Sequence, residues 1–307
     1  MLHSMLRPLA LRGHQVNVWL SHSGKLQEEY EIDGIQVIPQ QQGFRFASEA
    51  RKADILVSQY ENVPIASSFS RAHGIPLVVV CHDNFPTSFR NAAGADLLVC
   101  NSQWIRREAD VFYSTYPEGY APKRIMVVRP PVFASDYRTS PGEYVTLVNL
   151  NEEKGGEVFW KIAAWMPEWK FLGVCGSYGT QIKPPIYLQN CEVVDTVPGG
   201  RMKDVVYSRS RIVLMPSLYE SWGRVAVEAF ASGIPVVAHP TPGLLEALGG
   251  AGIFAYRDDL PAWINALKSL AEQTAWAQAS QRAKERSRQL DPTSEIGQWC
   301  KAVERLL

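Results

Sequence analysis

Short continuous runs of Val, Ile and Leu alternate along this chain with longer stretches whose apolar residues recur every three or four positions. In the first half the runs are Val16–Ser21, Ile35–Pro39, Asp54–Gln59, Leu77–Cys81, Leu97–Cys100 and Ile125–Val128. Continuous apolar runs, rather than alternating ones, are the pattern of strands buried on both faces. In the second half strands are expected at Val145–Leu150, Lys170–Cys175, Cys191–Asp195, Arg211–Met215, Pro235–Ala238 and Gly252–Tyr256. Helices fit Gly156–Met166, Arg201–Ser208, Gly223–Ser232 and Leu260–Ala271. A helical tail follows over Thr274–Leu290, Asp291-Pro292 interrupts it, and a last helix is expected over Thr293–Leu307.

Strand–helix alternation at this density implies parallel sheets covered on both faces. Residues 129–143 carry three prolines and no periodicity, the composition of an interdomain linker. The expected fold is α/β, with two Rossmann-like, doubly wound, parallel-sheet domains facing a cleft. Residues 1–132 would form one domain and 133–291 the other, with the terminal helix 292–307 packing back on the first. Ligands of such sheets bind at the carboxyl ends of strands, so the residues just after each strand matter most.

Composition narrows the classes. A length of 307 residues agrees with two domains at about 150 residues each. Thirty-one basic side chains balance 31 acidic ones, without the basic surplus of a nucleic-acid binder. The five cysteines form no CxxC pair, and Cys81, Cys100 and Cys175 sit in apolar runs, as expected of reduced core thiols in a cytoplasmic protein. No apolar run approaches the ~18–20 residues of a membrane span, which leaves only peripheral membrane contact open. The first residues lack a signal-peptide layout. Asp258-Asp259 has no third ligand close in sequence, so no metal is expected there. Gly176–Gly179 lacks the middle glycine of a dinucleotide-binding loop.

The most informative stretch is Ser217–Ala238, SLYESWGRVAVEAFASGIPVVA. A strand delivers a loop ending in Glu220, Ser221, Trp222 and Gly223, and a helix then carries Glu228 in its second turn. Seven residues separate the two carboxylates, and Glu228 stands on a helix that is otherwise Val, Ala and Phe. The first amides of that helix, at Gly223, Arg224 and Val225, have no acceptor inside it and suit a diphosphate. Gly223 removes the side chain where a phosphate must approach the backbone. Two carboxylates nearby suit the hydroxyls of a sugar or ribose.

From Glu220 through Gly223, Glu228, Ala229, Ala231, Gly233 and Pro235 to Val237, this stretch resembles the E-x7-E signature of retaining GT-B glycosyltransferases, the glycosyltransferase group 1 or family 4-like group. The resemblance implies a retaining, metal-independent transfer of sugar from a nucleotide-diphospho-sugar to an acceptor that the sequence does not name. It implies no cofactor beyond that donor. Glu220 would orient the donor sugar and Glu228 the ribose. In LVNLNEEKGG, Lys154 with Gly155 fits the family's Lys-Gly that holds the donor diphosphate. The family's arginine falls where this chain has Asn149, and Arg224 is expected to substitute for it in part. His82, after the run Leu77–Cys81, matches the family's histidine that contacts the transferred sugar. Asn101 and Ser102 are weaker pointers of the same kind. Gly243 and Glu246 resemble the loop that closes over the nucleotide.

The chain opens in the helix that ends LALRGHQV at residues 9–16, so the resemblance implies that a strand and a glycine-rich loop, roughly 20 residues, are missing before it. Two other functions fit the same residues: a nucleotide-sugar epimerase, and a catalytically degenerate nucleotide-binding protein. The sequence leaves base, sugar, acceptor and oligomeric state open.

Overall fold

All six strands expected in the second half pair in parallel, in a computed structural model that describes residues 1–22 and 28–307. The chain divides into two units, Met1–Pro131 with Pro292–Leu307, and Val132–Asp291.

The first unit holds β1 (Val16–Trp19), β2 (Tyr30–Ile32), β3 (Ile35–Ile38), β4 (Leu56–Gln59), β5 (Leu77–Cys81), β6 (Leu97–Cys100) and β7 (Ile125–Val127). Strands β4, β5, β6 and β7 pair in that order, all parallel. Every residue of β5 and β6 is buried, as their unbroken apolar runs require. The expectation of one parallel sheet in this unit is corrected. Among the described residues the strands fall into two sheets, the second ordered β1-β3-β2, with β2 antiparallel to β3. The physical reason is the Asp33-Gly34 turn, whose φ angles of 51° and 76° are those of a tight hairpin. That turn folds the exposed strand Tyr30–Ile32 back on Ile35–Ile38.

The last helix, Thr293–Glu304, belongs to this unit. Its Trp299 is fully buried and donates from Nε1 to the carbonyl of Met5 at 2.8 Å. Arg129 reaches Glu295 from its backbone N–H, at 2.9 Å, and from Nε, at 2.6 Å.

The second unit holds β8 (Tyr144–Val148), β9 (Phe171–Val174), β10 (Cys191–Val194), β11 (Ser210–Met215), β12 (Val236–Ala238) and β13 (Ile253–Phe254). Their order is β10-β9-β8-β11-β12-β13. The chain runs outward from β8 through β9 to β10, then returns to the other side of β8 and runs outward again. The order therefore reverses between β8 and β11, and the crevice at their carboxyl ends is where a ligand of such a sheet binds. Two apolar layers cover the sheet. One is built on Phe230, Tyr207, Leu244 and Leu248, the other on Phe159, Trp160, Trp263 and Leu267.

The helix expected over Arg201–Ser208 is instead a 3₁₀ turn, Gly199–Arg201, followed by a π-helical turn, Lys203–Tyr207. This wider turn ends on Tyr207, which points into the core.

Candidate active site

Two loops of the second unit meet at the crevice. The first, after β8, begins at Asn149, whose φ of 68° is left-handed. Asn adopts that conformation more readily than other residues because its short polar side chain bonds locally. Here the Asn149 Oδ1 accepts from the backbone N–H of Asn151 at 3.3 Å and from Gln181 Nε2 at 3.1 Å. The loop then turns at Gly155, φ 92°, where a Cβ would stand 2.5 Å from Pro216 Cγ. Glycine at that position lets the loop after β8 lie against the loop after β11. Lys154, just before it, is fixed by its backbone N–H donating to Asn151 Oδ1 at 2.8 Å.

The second loop carries Glu220. Lys154 Nζ donates to Glu220 Oε1 at 2.6 Å, and Ser217 Oγ donates to the same oxygen at 3.1 Å. Burial pulls the Lys154 ammonium down, but Glu220 outweighs it and leaves the lysine above its ordinary pKa. The sequence-predicted phosphate cation and sugar carboxylate thus stand in direct contact.

Helix Arg224–Ala231 follows, with Gly223 as its N-cap at φ 86°. A Cβ on Gly223 would stand 2.4 Å from Leu244 Cδ2, the far end of a side chain, so it is the left-handed backbone that confines the position to glycine. The amides at the start of the helix, Val225 included, have no acceptor within it. Glu228 is buried, and both its oxygens are engaged. Tyr207 donates its hydroxyl to Oε2 at 2.7 Å, and Arg224 Nε lies 2.7 Å from Oε1. Arg224 also donates from Nη2 to the Tyr137 hydroxyl at 2.8 Å. Arg224, expected to replace in part the cation absent at Asn149, is paired here with Glu228 and Tyr137. Burial, and secondarily Glu228, push the Tyr207 hydroxyl well above the usual tyrosine range, so it stays a donor.

Gly243 lies in the first turn of helix Pro242–Leu248, capped by Thr241, whose Oγ1 accepts from the backbone N–H of Leu244. A Cβ on Gly243 would stand 2.2 Å from the carbonyl oxygen of Glu220. Its role is thus to let this helix touch the backbone of the Glu220 loop.

Sequence reasoning missed two side chains that hold the first loop in place. Gln181 accepts at Oε1 from the backbone N–H groups of Leu150 (2.9 Å) and Gly176 (2.7 Å), joining the carboxyl ends of β8 and β9. Arg257 donates to the carbonyls of Glu152 (2.7 Å), Glu153 (3.2 Å) and Pro216, joining the two loops of the crevice. The available signal for Arg257 was its position as the first cation after the last strand.

In the first unit, His82 follows β5. Its Nε2 donates to Gln59 Oε1 at 2.8 Å, and its ring stacks on Tyr60 at 4.5 Å. Burial lowers its pKa to about 4, so the ring is neutral near pH 7 and Nδ1 remains an acceptor. Asn101 donates from Nδ2 to the His82 carbonyl at 3.3 Å. Ser102 is structural, because its Oγ caps helix Gln103–Tyr113 by accepting from the backbone N–H of Ile105. Among the described residues no group of His, Cys, Asp and Glu is arranged to hold a metal ion, and no helix is long and apolar enough to cross a membrane.

Residues 148–273 match the family model of glycosyl transferases group 1. A D-inositol 3-phosphate glycosyltransferase of Corynebacterium kroppenstedtii is 46% identical over 69 residues, which is 22% of this chain and 15% of that protein. One of Streptosporangium roseum is 25% identical over 264 residues, 73% of this chain and 60% of that protein. The chain spans less than a quarter of the first of these relatives and under two thirds of the second. Two solved structures share the GT-B fold over nearly the whole chain. Sucrose-phosphate synthase from Thermosynechococcus elongatus is 16% identical, covers 99% of this chain and 92% of its own, and has a TM-score of 0.76. Anabaena HepE in complex with UDP-glucose is 18% identical, covers 98% and 94%, and has a TM-score of 0.79.

Proposed function

We propose that this protein is a transferase that moves a sugar from a nucleotide-diphospho-sugar to an acceptor, with retention of configuration and without a metal. The observation that carries the reading is the Lys154–Glu220 contact beside the open N-terminus of helix Arg224–Ala231, at the point where the strand order reverses. A donor diphosphate takes the Lys154 ammonium and the amides at Gly223, Arg224 and Val225, which stabilise the charge that grows as it leaves. Glu220 accepts hydrogen bonds from hydroxyls of the donor sugar, and Glu228 from the ribose. The bond between the anomeric carbon and the diphosphate oxygen breaks, and the acceptor oxygen bonds to that carbon on the same face. The leaving diphosphate oxygen takes the acceptor's proton.

HepE, crystallised with UDP-glucose, makes a uridine donor the first to test. The names of the curated relatives make a phosphorylated inositol the first acceptor. The test is calorimetric titration of wild-type protein and Lys154→Ala with UDP and with uridine, beside an assay of UDP-sugar consumption. Lys154→Ala should weaken UDP and leave uridine nearly unchanged. Equal losses for both would mean that Lys154 acts through the fold and would remove the central support of the reading. Asn149, standing where the family carries an arginine, favours a second reading, a nucleotide-binding protein without turnover. Donor consumption with acceptor present separates the two, and product analysis separates transfer from epimerisation.

A further inference from the structure

Of the three cations at the crevice, Arg257 is committed to backbone carbonyls and the other two are paired with carboxylates. The Lys154 and Glu220 side chains, 19% and 14% exposed, are in contact, and Arg224 is paired with Glu228, which is 8% exposed. Ser217 donates to the same Glu220 oxygen as Lys154, and Tyr207 to the Glu228 oxygen that Arg224 leaves. An anion that reaches the Lys154 ammonium must therefore lie next to Glu220, because the ammonium touches both. Like charges brought together in a partly buried setting repel strongly, and turning the lysine away would leave Glu220 charged and unpaired. A ligand that carries hydroxyls beside its phosphates meets neither obstacle, since its hydroxyls take over the carboxylate as the cation turns to the phosphate.

We propose that Glu220 and Glu228 act as charge gates, which disfavour inorganic phosphate and diphosphate at the cation sites and admit a diphosphate more readily for each hydroxyl-bearing group that flanks it. The proposal rests on the donor reading above and makes it narrower. A nucleotide sugar satisfies both carboxylates, a nucleoside diphosphate satisfies only Glu228, and inorganic diphosphate satisfies neither. The same arrangement favours product release. Once the sugar has left, Glu220 loses its hydroxyl partner and re-pairs with Lys154, which loosens the diphosphate left behind.

The test is calorimetric titration of the whole chain with inorganic diphosphate in metal-free buffer, using wild type, Glu220→Gln, Glu228→Gln and Glu285→Gln. Glu285 is exposed and hydrogen-bonded to Gln281, so its variant controls for the change in net charge. Glu220→Gln should bind inorganic diphosphate roughly tenfold more tightly than wild type, while Glu285→Gln is unchanged. The same Glu220→Gln protein should bind UDP-glucose more weakly. If Glu220→Gln fails to fold, Glu228→Gln carries the same expected gain through Arg224. In the wild-type chain inorganic diphosphate should bind at least roughly tenfold more weakly than UDP. No gain in either gate variant, or an equal gain in Glu285→Gln, would overturn the proposal. UDP binding without a diphosphate gain overturns the gate alone. A gain for inorganic diphosphate in a protein that ignores UDP overturns the donor reading alone.

Discussion

Replacing Gly243 by alanine sets two opposed effects against each other, and the structure decides their sign. Gly243 is in helix Pro242–Leu248 and has no left-handed φ. On helix propensity alone alanine would stabilise the segment by about 1 kcal/mol. The added Cβ, however, would stand 2.2 Å from the Glu220 carbonyl oxygen, 2.3 Å from the Ser221 carbonyl carbon and 2.6 Å from the Ser221 oxygen. All three are backbone atoms, which cannot swing aside as the end of a side chain can. Restoring ordinary contact requires a shift of roughly 1 Å, and overpacking of this kind costs ~1–3 kcal/mol, with the upper end expected against backbone. The net effect should be a loss of ~1–2 kcal/mol, and at ~2–4 °C per kcal/mol the melting temperature should fall by a few degrees. The atoms displaced belong to the loop that carries Glu220, and a misplacement of about 1 Å costs on the order of 10²-fold in rate. Turnover should therefore fall much further than stability. Thermal melting and donor consumption on Gly243→Ala check this, with Gly250→Ala as control, since a Cβ there meets nothing within 4 Å. A Gly243→Ala protein that melts at or above the wild-type temperature and consumes donor at full rate would refute the reasoning.

Two further outcomes follow from groups around the site. His82 titrates at about 4 in the folded chain against 6.5 ordinarily, so the unfolded chain binds more protons between these values. Stability from this group is complete above pH 6.5 and falls by about 3 kcal/mol as pH drops to 4. Denaturant melts of His82→Asn should lose that pH dependence, and an unchanged slope over this window would count against burial as the cause. Arg257→Ala should remove the tie between the two loops, lower stability by ~1.5–3 kcal/mol and weaken UDP binding. Arg257→Lys should recover little of either, because a single ammonium cannot span three carbonyls, and full recovery of UDP affinity by lysine would refute this role.

The sequence by itself determined the features that lie within one strand and the loop or helix after it. The apolar runs of β5 and β6 could be nothing but buried strands, and Glu220, Gly223 and Glu228 follow β11 in one strand–loop–helix unit, so their spacing placed them. The Asp33-Gly34 hairpin is equally local, but the apolar runs do not reveal it because its strand Tyr30–Ile32 is short and exposed. Tertiary structure alone decided which charges meet. Lys154 and Glu220 are 66 positions apart, Tyr207 and Glu228 are 21 apart, and Arg257 reaches a carbonyl 105 positions away. Arg224 shows the limit most clearly, since nearness in sequence to the anion site suggested a phosphate ligand, whereas its partners are the Glu228 carboxylate one helical turn on and a tyrosine 87 positions earlier. Burial and backbone register follow from local patterns of residue type and so are written along the chain. Electrostatic pairing depends on distances that exist only once parallel strands have brought their carboxyl ends to one edge of the sheet.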